Sequence, residues 1–338
     1  MNKSSKVIFN SAPPYTGVGI MSRMLFEAWG ALRPSVSFMQ IPALRLKNLV
    51  MKTHYEGIAV SGDTSLSLAL KPFPSVVVIH HPMYLMKPEN YPRTHVLAFK
   101  HALRVMAEKQ TKIIMFSDWG RKILLELNQR LDPDNVKVIH PYSLLPEPNA
   151  DDLRNVRERF SYAFDETLEA RATVLAVGTS MPHKNFVTLY RATKNQKLNV
   201  VRIGANEELE RREYDQLASH VSYIHEKLTD LEMSCIYRLS DLLVFTGTEE
   251  GFGRPLIEAM SLGIPVVGNY QTTVPEILGE GMPKVKNPYD HVALLDAIKE
   301  VIANHDGYRK KAISQSAIYS KEHCVSDLRE LDQTLSEY

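Results

Sequence analysis

Two carboxylates, Glu250 and Glu258, lie in the segment Thr246–Met260, TGTEEGFGRPLIEAM. An apolar run, Leu242–Phe245, precedes it, and a helix is expected to open near Pro255, because proline is favoured in a first helical turn where a missing N–H loses nothing. Gly251 and Gly253 allow a ligand to come close to the backbone. The N–H groups of the helix's first turn form an anion site suited to a pyrophosphate. Glu250 falls on the loop and Glu258 about one turn inside the helix, so both carboxylates face one crevice at the carboxyl end of the strands. Ionised carboxylates accept hydrogen bonds from adjacent hydroxyls, and two of them suit a ligand with two sugar rings.

Four further strand ends carry candidate chemistry. Val177–Phe186, VGTSMPHKNF, forms a strand-to-helix turn of the type where phosphates bind, with Gly178, Thr179, His183 and Lys184 on it. A histidine such as His183 is only partly charged near neutral pH. Arg202, at the end of the next strand, is the candidate for a second positive charge, although a lone strand-end arginine is more often a surface residue. Pro13–Gly19, PPYTGVG, places Gly17 and Gly19 before a helix, where their N–H groups can meet an anion. A dinucleotide fingerprint would need a third glycine where Ser22 stands, and an acidic residue closing a second strand; neither is present, which discounts an NAD enzyme. Val76–Pro82, VVVIHHP, ends a strand in His80 and His81. Such histidines serve either chemistry or local hydrogen bonding.

These residues need a scaffold that aligns strand ends. In the first half Lys6–Asn10, Gly57–Val60, Val76–Ile79, Lys112–Phe116 and Val136–Ile139 read as strands, alternating with helices over Met21–Leu32, Val96–Lys109 and Asp118–Arg130. The second half repeats the pattern. Its strands are Thr173–Val177, Asn199–Ile203, Val221–Ile224, Leu242–Phe245 and Pro265–Gly268. Its helices are Asn185–Thr193, Glu207–Leu217, Thr229–Leu239 and Pro255–Leu262. Alternation of this kind predicts α/β architecture with parallel sheets covered on both faces. Pro141, Pro146 and Pro148 mark a boundary within Pro141–Arg171, and Tyr289–Tyr338 reads as wholly helical.

The stretch EGFGRPLIEAMSLGIPVV, with VGTSMPHKNF upstream, resembles glycosyltransferase family 4 (glycosyl transferases group 1), retaining enzymes of the GT-B fold. The resemblance covers most of the chain and is tightest from about residue 173 to 280. Phe116–Lys122, Val136–Pro141 and the pair Pro275 and Glu276 extend it. It implies two facing Rossmann-like lobes, with a C-terminal helix crossing back to the first. Residues 1–148 plus about 318–338 would bind the acceptor, and residues 149–317 the nucleotide-sugar donor. It further implies that Glu250 contacts the donor sugar, Glu258 the ribose, and the backbone at Gly251, Phe252, Gly253 and Arg254 the sugar hydroxyls and phosphate. Lys184 would neutralise the pyrophosphate, beside Gly178 and Thr179. Leu228 would meet the base, and the Gly17–Gly19 loop would lie under the phosphates beside the acceptor. His80 would stand near the reacting carbon or the acceptor. His183 departs from the arginine common there, and Arg254 from an aliphatic residue; the guanidinium could touch phosphate or close a salt bridge.

The implied reaction moves a sugar from a UDP- or GDP-sugar to a hydroxyl of a glycan, lipid-linked or small-molecule acceptor. No metal and no cofactor beyond that substrate are expected, since no Asp-x-Asp element stands out, and no nucleic-acid partner is expected. A non-catalytic sugar-nucleotide or glycan-binding protein on the same fold is the alternative, and an epimerase or phosphorylase of the same fold a third.

Composition agrees with a globular protein of 338 residues, 44% hydrophobic and 23% charged. No apolar stretch is long enough for a membrane span. Two cysteines exclude a disulfide framework, and the N-terminus lacks a secretory core, so a cytoplasmic setting is expected. Residues 1–150 hold 18 Lys and Arg against 10 Asp and Glu, and the rest 22 against 29, leaving +8 and −7. The basic half, with Leu44–Lys52 and Phe99–Lys112, suits either peripheral contact with the inner membrane face or ordinary solvated helix faces.

Overall fold

A computed structural model describes residues 7–10, 17–33, 53–54, 58–62, 64–67, 70–71, 74–164, 171–218 and 220–335. Two compact units result, Met1–Tyr142 with Ser320–Tyr338, and Ser143–Tyr319. Pro13–Thr16 of the first glycine loop, and the basic stretch Leu44–Lys52, lie outside the described residues.

The first unit runs β1 (Val7–Asn10), α1 (Gly17–Leu32), β2 (Thr53–His54), β3 (Ile58–Ser61), α2 (Thr64–Ser67), β4 (Leu70–Lys71), β5 (Val76–Val78), α3 (Met83–Met86), α4 (Arg93–Glu108), β6 (Lys112–Met115), α5 (Asp118–Leu127) and β7 (Val136–Val138). Its main sheet has the order β1-β3-β5-β6-β7, and all four pairings are parallel. Strands buried on both faces cannot alternate apolar with polar, which is why Val76, Val77 and Val78 are contiguous and all fully buried. Val77, Ile79, Ile113 and Met115 pack with Phe99, Leu103 and Met106 of α4 and Leu124 of α5 in one core. Ser117 caps α5 by accepting from the Gly120 N–H at 3.0 Å.

The second unit runs α6 (Ala150–Arg159), α7 (Ser161–Phe164), β8 (Ala172–Val177), α8 (Phe186–Thr193), β9 (Leu198–Ile203), α9 (Glu207–Ala218), β10 (Val221–Ile224), α10 (Asp230–Arg238), β11 (Leu242–Val244), α11 (Arg254–Ser261), β12 (Val266–Asn269), α12 (Val274–Leu278), β13 (Lys284–Val285), α13 (His291–Ala303) and α14 (His305–Ser316). Its sheet has the order β10-β9-β8-β11-β12-β13, parallel throughout. The chain moves outward from β8 to β10, then returns to the other side of β8 with β11. The switch point of the sheet therefore falls between β8 and β11, where ligands of open α/β sheets bind.

Helix α6 occupies part of the stretch read as a linker. The prolines all precede its N-cap, Asn149, which closes a capping box with Asp152, and Val156 buries the helix's apolar stripe. The helical tail divides into α13, α14, a short turn at Ala317–Tyr319, and α15 (Lys321–Leu335). Helix α15 returns to the first unit and packs on α1. Two aspartates fix it there. Asp332 accepts from the buried Trp29 indole N–H at 3.0 Å and from Arg33 at 2.8 Å, and Asp327 accepts from the backbone N–H of His140 at 2.9 Å.

Candidate functional site

The sheet order of the second unit places the loop after β8 beside the loop after β11. Leu242 and Leu243 of β11 pair with Val174 and Leu175 of β8, so both loops emerge at the same edge. Side chains then join them. The Thr246 hydroxyl donates to the Lys184 carbonyl at 2.7 Å, and Thr248 donates through its N–H (2.8 Å) and its hydroxyl (3.1 Å) to the His183 carbonyl. Asn185 takes the left-handed conformation, φ 53°, and its amide donates to the Pro288 carbonyl at 2.7 Å. The result is an ion pair between Lys184 Nζ and Glu250 Oε1, whose side chains are 21% and 10% exposed.

Glycines make room for that pair. A Cβ on Gly247 would sit 2.6 Å from Glu250 Oε1, so the carboxylate lies flat on bare backbone. Gly253 has φ +88° as the N-cap of α11, a conformation that L side chains rarely adopt. Pro255 falls in the first turn as the sequence requires. Leu256 N–H is spent on the Gly253 carbonyl at 2.9 Å, which narrows the supply of backbone donors for an anion. Gly251 is half-buried on the approach to this turn. Asn269 and Thr273 brace the loop from β12 onward, donating to the carbonyls of Gly247 and Phe252, each at 2.9 Å. The Phe252 ring is core, edge-on to Tyr319 with 5.9 Å between centroids, so only its backbone faces the loop.

Glu258, 4% exposed, sits one helical turn into α11. Its Oε2 accepts from the Tyr237 hydroxyl at 2.9 Å, and its Oε1 lies 3.2 Å from Arg254 Nε. Burial, then the Glu258 charge, push the Tyr237 hydroxyl well above the usual tyrosine range, which keeps it protonated and able to donate. Of the two contacts open to Arg254, the structure shows the salt bridge, with the side chain still 33% exposed.

Arg202 is not a surface residue, and its guanidinium is turned inward. It is fully buried; Nη1 donates to the Gly178 carbonyl at 2.7 Å, Nη2 donates to Glu210 Oε1 at 2.9 Å, and the Phe186 ring covers its Cζ at 3.5 Å. A guanidinium on a fully buried strand points its fork at the nearest inward acceptors, so the second-charge role read from its position is corrected. Gly178 has φ +149° and is half-buried, Thr179 is exposed, His183 is half-buried, and Leu228 is half-buried just before the Thr229 cap of α10.

In the first unit His80 follows β5. Its Nε2 lies 2.8 Å from the Gly62 carbonyl. A carbonyl only accepts, so that nitrogen carries the hydrogen. Ser22, in the second turn of α1, donates to the same carbonyl at 3.5 Å; in the first turn Gly17 is exposed and Gly19 buried. His81 instead stacks on Tyr84. Sequence reasoning missed Thr246, Thr248, Asn185, Tyr237 and Gly247; the hydroxyls flanking Gly247 in TGTEE were the available signal.

Residues 159–318 match the glycosyl transferases group 1 family. The chain is a glycosyltransferase with the GT-B fold. Over 289 residues the glycosyltransferase is 25% identical to the O-antigen chain mannosyltransferase RfbU of Salmonella typhimurium, spanning 82% of this chain and 69% of that protein. It is 23% identical over 284 residues to the O-antigen chain mannosyltransferase B of Escherichia coli, spanning 78% and 70%. Its fold is similar to that of Anabaena Alr3699/HepE, solved in complex with UDP-glucose, with a TM-score of 0.75 at 16% identity over 98% of this chain and 100% of that one. Among the described residues no helix is long and apolar enough to cross a membrane.

Proposed function

We propose that the glycosyltransferase moves a hexosyl group from a UDP- or GDP-sugar to a hydroxyl of a glycan, lipid-linked or small-molecule acceptor, with retention of anomeric configuration and without a metal. The observation that carries this reading is the Lys184–Glu250 pair at the switch point of the second unit's sheet. A cation and a carboxylate held side by side are what a sugar diphosphate needs at its cleaving bond. The carboxylate accepts from sugar hydroxyls, while the ammonium meets charge growing on the departing phosphate. The N-terminus of α11 adds partial positive charge in the same place.

In this reading Glu258 accepts from the ribose hydroxyls. A carboxylate has about four lone-pair sites, so the bonds to Tyr237 and Arg254 leave capacity for them. The leaving diphosphate takes the acceptor's proton, so no separate base is invoked. The first unit takes the acceptor, with His80 and the Gly17–Gly19 turn as its candidate residues. Its excess of Lys and Arg suits either an anionic surface or ordinary solvated helix faces, and the enzyme is assigned to the cytoplasm.

The relatives named as mannosyltransferases make a mannosyl group the first sugar to test, with UDP-glucose beside it. A thermal-shift panel of nucleotide sugars should single out one donor, and NMR of its transfer product should show the donor's anomeric configuration retained. Inverted product would refute the retaining assignment. Tight donor binding without transfer or hydrolysis would instead mark a binding protein on the same fold.

A further inference from the structure

Burying an arginine and a glutamate together is costly, and apolar residues of similar volume are often as stable. Arg202 is fully buried and Glu210 is 2% exposed, and Arg202 Nε finds no hydrogen-bond partner among the described residues. Stability alone therefore gives a poor account of the pair. What distinguishes it is the set of groups it holds.

Arg202 Nη1 donates to the Gly178 carbonyl at 2.7 Å, the first residue after β8, and also to its own neighbour, the Ile203 carbonyl. Glu210 Oε1 takes Arg202 Nη2 at 2.9 Å and the Ser180 hydroxyl at 2.6 Å. Ser180 in turn accepts the Asn206 N–H at 2.6 Å. Glu210 Oε2 accepts from the Tyr190 hydroxyl of α8. Phe186, the first residue of α8, lies with its ring 3.5 Å from the guanidinium carbon. A Cβ on Gly178 would come within 3.4 Å of that ring and 3.8 Å of the Lys184 stem, so the loop's two ends are in contact. One neutralised pair thus grips the start of the loop at Gly178 and Ser180 and its end at Phe186, while Lys184 rides between.

We infer that Arg202 and Glu210 are positioning residues for the Gly178–Lys184 loop, setting the place of the Lys184 ammonium without meeting the donor themselves. The inference rests on the catalytic reading of Lys184. Its consequence is non-additivity: a pair that acts only through Lys184 has nothing left to contribute once Lys184 is gone.

The test combines Arg202→Met with Glu210→Leu, which keeps the core filled and neutral, in wild-type and Lys184→Met backgrounds. With Lys184 present, kcat should fall at least roughly tenfold while the donor KM moves less than about threefold. In the Lys184→Met background the same double substitution should change kcat by less than about twofold. Unchanged kcat with Lys184 present, or an undiminished further loss without it, would overturn the inference. Should the double variant fail to fold, Arg202→Lys serves instead. It keeps a cation for Glu210 but cannot fork to the Gly178 carbonyl, and it should show a smaller kcat loss with the same non-additivity. Lys184→Met alone leaving turnover intact would sink the catalytic reading of Lys184, whereas Lys184-dependent turnover with additive losses would sink only the positioning role.

Discussion

Replacing Lys184 with methionine keeps the length of the stem and removes the charge. Two separate effects should follow, because the ammonium faces Glu250 in the free protein. The first is on stability. Losing one partner of a buried ion pair costs roughly 3–5 kcal/mol, and of an exposed pair at most about 1. With the two side chains 21% and 10% exposed, the pair lies between these limits. A loss of about 2 kcal/mol is expected, or roughly 4–8 °C in melting temperature for a unit of this size. The second effect is on turnover. A charge that meets a departing phosphate in a preorganised site contributes on the scale of an oxyanion-hole donor, roughly 100-fold in kcat or about 2.7 kcal/mol. Glu250→Gln separates the two, since it removes the carboxylate that needs a counter-ion. In that background Lys184→Met should cost almost no stability, yet should still lower the residual kcat by at least roughly 30-fold. The assay is initial-rate transfer at saturating donor, beside thermal denaturation of all four proteins. If Lys184→Met changes kcat by less than about threefold once Glu250 is Gln, Lys184 is only the counter-ion of Glu250 and the leaving-group role is wrong.

Glu258→Ala should weaken nucleoside diphosphate binding by roughly 10- to 100-fold in calorimetry, the scale of a lost charge-assisted hydrogen bond, and unaltered affinity would remove the ribose assignment. Tyr237→Phe leaves the carboxylate in place and should weaken the same binding by less than about fivefold, since a neutral hydroxyl donor contributes less. His220, half-buried beside Thr193, has its pKa lowered from 6.5, first by burial and then by Lys194. Between that lowered value and 6.5 the unfolded chain binds a proton that the folded chain refuses, so stability falls as pH drops through this window. The denaturation midpoint of His220→Gln should therefore depend less steeply on pH below neutrality, and an identical slope would contradict the assignment. Burial pushes the Cys235 thiol up to about 11 and the Cys324 thiol up to about 12. Neither should react with a thiol reagent at neutral pH until the protein is denatured, and a fast native reaction would show that the burial is wrong.

The alternation of short β-branched runs with amphipathic stretches determined the α/β class and most of the elements, because element type follows from local periodicity. So did the glycines and the proline around Glu250: the φ of Gly253 and the start of α11 are local requirements that the letters EGFGRP state directly. The placement of Glu250 on a loop and Glu258 one turn into a helix was legible for the same reason. Local pattern carries no strand order, however. Lys184 and Glu250 stand 66 positions apart, and they meet only because β11 returns to the free side of β8. Helix α6 was obscured by three prolines that in fact end before its cap. The direction of a strand-end side chain is likewise settled by what packs around it. Arg202 stands one residue from the end of β9, where a surface cation would be expected, but Glu210 of α9, Phe186 of α8 and the Gly178 carbonyl together form an inward socket, and a charged fork inside a core must take the acceptors it finds there.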